Sequence, residues 1–437
     1  MQQGQASLWP IEKTERIQSI DMIRGVALLG ILLMNIESFG YFHEYVENPV
    51  IYGGTSGINY WVWWVITVVF EGKMRGLFSM LFGASVILLT SKKETEGLSV
   101  ADVYYRRLLW LLVFGLINAY ILLWPGDILY AYAICGLFLF PFRKMKPVYL
   151  IICGVLFLCK DVVQSQMEFQ ERKELRREYV ETQKLQKTGK KLSEKQKQSV
   201  QKWEEFEKST RFDPKKIKEN DALMLSGYGT IFGFCFKLNQ ELQSSEFYNE
   251  TFWDCIGMML IGMGLMKIGV FSGKLKTKEY LWLMLIGYGI GIPMGIFVAF
   301  QELSFFRDAV AFIDLNTIDT VSATYEPRRL FITAGHVGLL MLIFKSGWFK
   351  GFAKVLSSVG QMAFTNYLMQ SVLCTLFFYG YGLGYFGKLQ RYELYLVVLS
   401  VWIIQLIWSN IWLRNFRLGP LEWLWKSLTY ARKQPIR

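Results

Sequence analysis

Histidine is almost missing from this chain of 437 residues, which holds only His43 and His336. That scarcity excludes imidazole-based metal centres, and any histidine-based proton transfer must use one of these two side chains. Cysteine is sparse as well: the six residues at 135, 153, 159, 235, 255 and 374 form no CxxC or Cys/His pattern and fall mostly inside apolar runs. They read as small buried hydrophobes, and neither a metal site nor a disulfide framework is expected. Charge is scarce too, at 19% of residues against 52% hydrophobic and 16% aromatic. Such a balance, with several apolar runs reaching the roughly 18–20 residues that cross a bilayer, excludes soluble classes. The net charge of +12 therefore reports membrane topology first, and no nucleic-acid partner is expected.

What is present is an all-α polytopic membrane protein. Apolar spans read 20–41, 59–91, 107–124, 127–142, 147–163, 252–271, 279–301, 325–346, 356–380 and 393–413. The connection at 42–58 holds Glu44 and Glu47 without Lys or Arg, whereas Lys92, Lys93, Arg106 and Arg107 fill the next loop. Basic residues recur at Arg143, Lys144 and Lys146, at Lys274 to Lys278, at Lys345 to Lys354, and from Arg414 onward. Basic loops in the cytoplasm give about ten transmembrane helices with both termini inside. The first span does not read as a cleavable signal, because it is long and carries Asp21 and Arg24.

Three units follow: membrane helices over 1–163, a charged helical insert over 164–250 placed outside, and membrane helices over 251–437. Ser193 and Gln196 suit a capping box that opens a second helix in the insert. The insert is either a solvated spacer or a docking element, and residues 222–240 are apolar enough to lie on or dip into the bilayer. RLGPLEWLWKSLTYAR at the C-terminal end reads as an interfacial amphipathic helix. The run 59–91 is too long for one straight crossing, and EGKMRG sets Glu71, Lys73 and Arg75 near membrane depth. The helix either breaks there or re-enters.

Polar groups at such depth are functional candidates by default. Asp21, Arg24 and Asn35 fall within about 60° on one face of the first span, with Asp21 and Arg24 close enough to neutralise each other. Arg107 and Asn118 share a face at the same eleven-residue spacing as Arg24 and Asn35. Asp127, after Pro125 and Gly126, either caps the next helix or lines an outer mouth. His336 lies mid-span as a base candidate or a satisfied core residue. His43 lies just past the first span. Asn366 and Gln370, one turn apart, suit interhelical glue or a site.

IDMIRGVALLGILLMNI, FEGKMRGLFSMLFGA, GDILYAYAICGL, GQMAFTNYLMQS and GPLEWLWKSLTY together resemble the YeiB-like family, domain of unknown function 418. That family is grouped with acyltransferase-three proteins and heparan-α-glucosaminide N-acetyltransferase. The resemblance implies a bacterial cytoplasmic-membrane O- or N-acyltransferase that takes an acyl group from acyl-CoA, without metal, to an envelope glycan, lipid or small-molecule acceptor. His43 or His336 would be the base, with Asn35 and Asn366 as oxyanion or orienting donors. Arg24, Arg75 and Arg107 would bind the CoA phosphates. Where relatives often carry histidine, this chain has Asn35 in the first span and Asn118 in the third. Membrane lipids are implied partners, and so is self-association. A transporter of a small metabolite and a non-catalytic assembly or sensor protein are the alternatives.

Overall fold

Within hydrocarbon a chain must satisfy its own backbone hydrogen bonds, and helices do so segment by segment. The computed structural model describes residues 17–42, 46, 48–95, 99–189, 191–210 and 213–436, and no strand occurs among them. Their helices begin with α1 (Gln18–Gly40), α2 (Gly57–Val65), α3 (Lys73–Thr95), α4 (Val100–Leu116), α5 (Leu129–Leu139) and α6 (Pro147–Lys187). The insert and the next crossing supply α7 (Glu194–Thr210), α8 (Pro214–Met224), α9 (Tyr228–Glu241) and α10 (Phe252–Ile268). Then come α11 (Thr277–Arg307), α12 (Ala309–Leu315), α13 (Thr320–Ser346), α14 (Lys350–Gln361), α15 (Ala363–Phe378), α16 (Arg391–Asn415) and α17 (Pro420–Thr429).

Seven described helices are long and apolar enough to cross a bilayer: Gln18–Gly40, Gly57–Ser91, Pro147–Lys187, Tyr228–Ile268, Thr277–Arg307, Thr320–Ser346 and Arg391–Asn415. The other three expected spans are shorter. α4 gains a wide π turn over Ile117–Ile121, α15 has 16 residues, and α5 has only 11. At 1.5 Å per residue α5 covers about 16 Å, half the hydrocarbon, so neighbouring helices must shield its ends. Of the two placements open to residues 222–240, the structure fits the one that enters the bilayer: α9 runs through π turns at Leu242–Thr251 straight into α10.

The insert is a helical hairpin, opened on its second arm by the Ser193–Gln196 box: Ser193 N donates to Gln196 Oε1 at 2.9 Å and Gln196 N to Ser193 Oγ at 3.3 Å. It docks on the α11–α13 connection. Arg176 forms a two-pronged pair with Asp314 at 2.9 and 3.1 Å, and Phe169, Trp203, Phe312 and Ile313 bury together.

The last two sequence motifs lock to each other. Ala363 opens α15 just past a bend at Met362, leaving free N–H groups inside protein. Glu422 of α17 accepts from Phe364 N at 2.8 Å, Thr365 N at 3.0 Å and Thr365 Oγ1 at 2.5 Å. A carboxylate at a helix N-terminus also meets the positive end of the dipole. Glu422→Ala orphans three buried donors at about 1–3 kcal/mol each. Limited proteolysis checks this: α17 is expected to detach and be cut after Arg414 or Arg417 faster than in wild type. An unchanged cleavage rate contradicts it.

Candidate functional site

The EGKMR interruption is a genuine break. A π turn over Ile66–Phe70 ends α2, Glu71 is extended, and Gly72 adopts φ +71°, where a Cβ would sit 2.5 Å from the Tyr325 hydroxyl. Only glycine suits both demands. The broken end exposes carbonyls, and buried side chains cap them. Lys73 Nζ donates to Thr67 O at 2.7 Å, and His336 Nε2 donates to Val69 O at 3.0 Å. With Nε2 carrying the proton, His336 Nδ1 accepts from the Tyr288 hydroxyl at 2.7 Å. Both ring nitrogens are thus engaged in holding α13 and α11 to the break, and His336 is poorly placed to serve as a base.

Around the break lie four carboxylates and four cations. Arg328 is 3.0 Å from Glu71 and 3.1 Å from Glu302, and Lys73 is 3.5 Å from Glu71. In a second group Arg75 is 3.0 Å from Asp254, while Arg329 contacts Asp254 and lies 2.7 Å from Glu326. Tyr325 joins the groups: its hydroxyl donates to Glu71 at 3.0 Å and its ring lies 5.2 Å from both Arg328 and Arg329. The set is neutral, as burial at membrane depth demands. A cavity of about 310 Å³ opens beside it, lined by Arg75, Asp161, Glu250, Asp254, Tyr325 and Glu326 among others.

A second cavity of about 490 Å³ opens at the basic end of the bundle, between α1, α3, α4, α15 and α17. Asp21, Arg24, Arg107, Trp425 and Tyr430 line it, and it deepens along Phe78, Phe82 and Leu111 to Leu129, Tyr132 and Tyr367. Arg24 is tied to Asp21 at 3.0 Å. Arg107 lies with its guanidinium 4.4 Å from the Trp425 ring, and among the described residues no carboxylate pairs with it. Trp425 Nε1 in turn donates to Arg107 O at 2.9 Å, which fixes the stack.

Behind the cavity floor stands a polar cluster. Tyr367 donates to Asp127 Oδ1 at 3.4 Å, and Asn118 Nδ2 donates to the same oxygen at 2.8 Å. Asp127 Oδ2 accepts Tyr130 N at 2.9 Å, the helix cap foreseen for it.

The sequence candidates therefore separate. Arg24, Arg107 and Asp21 share the large cavity, with Asn118 and Asp127 behind it. Arg75 and Glu71 belong to the charged network instead. Asn35 is half-buried without a hydrogen bond among the described residues, and it does not line the cavity that Arg24 lines. Asn366 and Gln370 are glue: Asn366 binds Val359 O, Ser409 and Trp408, and Gln370 binds Gln405 at 3.1 Å. His43 lies outside the described residues. Sequence reasoning missed Asp254, Glu302, Glu326 and Arg328, whose polar positions sit near span ends, and Glu422, hidden in an interfacial helix.

A family described as "Protein of unknown function (DUF418)" matches residues 265–432. "Uncharacterized protein YxaH" of Bacillus subtilis (strain 168) is 30% identical, over 99% of this chain and 98% of its own. The chain belongs to the YeiB-like DUF418 family. "Uncharacterized protein YeiB" of Escherichia coli (strain K12) is 28% identical over 96% of this chain and 98% of its own. An "Uncharacterized 39.9 kDa protein in amylase 3'region" of Bacillus acidopullulyticus is 26% identical over 98% and 97%. No solved structure matches. The similarity to these family members runs nearly end to end, so it takes in both cavities.

Arg329→Met leaves Asp254 and Glu326 under-neutralised in a buried site and is expected to cost about 3–5 kcal/mol. Thermal unfolding in detergent checks this: a clear fall is expected, and an unchanged midpoint contradicts the network's role.

Proposed function

We propose that this multi-pass protein is an acyltransferase of the bacterial cytoplasmic membrane. It takes an acyl group from acyl-CoA and passes it to an envelope glycan, lipid or small-molecule acceptor. The observation that carries the reading is Arg107, a guanidinium without a carboxylate partner among the described residues, stacked on Trp425 over a deep, largely apolar cavity. Arginine suits phosphate because its planar fork offers several donors, and Trp425 supplies a flat face beside it. In this reading Arg24 and Arg107 hold the donor's phosphates at the basic mouth. The pantetheine arm then follows Phe78, Phe82 and Leu111 inward, so the thioester reaches Leu129, Tyr132 and Tyr367. Arg75 is not part of the donor site proposed here, being paired with Asp254.

A second reading, a transporter, draws on the broken α2–α3 crossing and the buried charges beside it, features that also build substrate paths in transporters. The two readings differ in what they require of Arg107 and Glu71.

Purified protein is expected to bind acetyl-CoA, and Arg107→Ala to weaken binding tenfold or more, since a charge-assisted contact is worth about 1.5–3 kcal/mol. Isothermal titration with the detergent-solubilised chain measures it. No acetyl-CoA binding, together with solute uptake in liposomes that Glu71→Gln abolishes, would sink the acyltransferase reading in favour of transport.

A further inference from the structure

The turn between α4 and α5 carries more irregular backbone than a helix connection needs. α4 widens into π turns over Ile117–Ile121, Leu123 takes φ +56°, and Trp124 N returns to Asn118 O at 3.1 Å. A left-handed non-glycine residue is strained and persists only where the surroundings hold it. Here Leu123 is fully buried, its carbonyl beside Cys235 of α9. The product of these distortions is Asp127, a carboxylate set against the cavity floor without an ion-pair partner among the described residues.

Capping α5 occupies only Oδ2. The other oxygen faces Asn118 and Tyr367, and Tyr367 lines the cavity while its hydroxyl also accepts Ile128 N at 3.0 Å. Asn118 is wholly buried and its Oδ1 has no hydrogen-bond partner, so an acceptor is left open next to the carboxylate. Buried polar atoms are rarely left so. His336, the one histidine among the described residues, has both of its ring nitrogens engaged.

We propose that Tyr367 takes the proton from the acceptor substrate and that Asp127 is the positioning residue that holds it. The inference rests on the acyltransferase reading above. The acceptor's O–H or N–H bond breaks as its oxygen or nitrogen bonds to the acyl carbon. The proton passes to the Tyr367 oxygen while Tyr367 gives its own proton to Asp127. The C–S bond then breaks with its electron pair on the CoA sulfur, and the proton on Asp127 returns through Tyr367 to that thiolate. Asn118 fixes Oδ1 toward Tyr367, and Oδ2 stays on the α5 amides.

Among the described residues, the titratable side chains around Asp127 are Tyr367 on α15 and Tyr130 and Tyr132 on α5, with Tyr120 and Tyr248 beyond Tyr130. Tyrosines ordinarily titrate near 10, so none of them gives an acid limb; Asp21 and Glu422 also line the cavity, and the Asp127→Asn profile assigns the limb.

The test uses the full-length chain in nanodiscs, with acetyl-CoA as donor, water as acceptor and release of free CoA thiol as readout. Asp127→Asn keeps a capping oxygen for α5 and Tyr367→Phe keeps the ring. Each is expected to lower thiol release about 100-fold or more, the usual scale of acid–base catalysis, with acetyl-CoA affinity within about threefold of wild type. Asp127→Asn is also expected to flatten the acid limb of the rate–pH profile, and Asp127→Glu to restore part of it. Variants that release thiol within about threefold of wild type, with the same pH profile, overturn the proposal and leave Asp127 a helix cap. Loss of acetyl-CoA binding in both variants overturns it too, because the pair then only supports the cavity wall. If the wild type itself binds no acetyl-CoA, the acyltransferase reading fails first and this step falls with it.

Discussion

The break at Glu71–Gly72 is the constraint on which much of the interior depends. Hydrocarbon offers no partner to a freed carbonyl or a bare charge, so opening a helix at membrane depth obliges the protein to supply both. Lys73 and His336 cap the carbonyls of the wide turn, and Arg328 meets Glu71. Each answer creates another demand. Arg328 is fully buried and draws in Glu302 of α11, while its neighbour Arg329 draws in Asp254 of α10 and Glu326. The result is a neutral set of eight charges that ties α3, α10, α11 and α13 together. Its members are valuable only together, since removing one strands another in a low dielectric.

The large cavity lies further along α3 from this set. Phe78 and Phe82 face the cavity, while Arg75, one turn earlier, faces Asp254. Tyr132 links the two regions: it lines the cavity, and its hydroxyl lies 2.7 Å from Ser79 Oγ, which donates to Arg75 O at 3.0 Å. A neutral network thus stands behind one wall of a cavity whose mouth is basic, joined to it through Tyr132 and Ser79. Rigidity behind a site is what holds reacting groups in register. The C-terminal motif closes the remaining side, because Glu422 anchors α17 on α15 and Trp425 is thereby held against Arg107.

Much of this was legible in the chain. Apolar runs located the spans, the EGKMRG interruption located the break, and the Ser193–Gln196 pair located the second arm of the hairpin. Two eleven-residue pairs stood out, and the one in the first span drew more weight. The structure favours the other: Arg107 lines the mouth of the cavity and Asn118 stands behind its floor, whereas α1 leaves it after Arg24 and Asn35 lies apart. Helical spacing shows which residues share a face but not what that face meets. Asp254, Glu302 and Glu326 were illegible for a related reason. Each lies near a span end, where a carboxylate is ordinary, and only tertiary packing turns that position inward. The continuity of α9 with α10 was hidden because Gln, Ser and Glu at 243–250 interrupt the apolar pattern while the backbone continues as π turns.

The central claim is that the basic-end cavity is a donor site. A cryo-EM structure of the full-length chain with a non-hydrolysable acetyl-CoA analogue tests it most directly. The account predicts phosphate density at Arg24 and Arg107, a base against Trp425, and the thioester mimic near Tyr367. Density for lipid alone in that cavity, with the analogue absent or bound elsewhere, would contradict it.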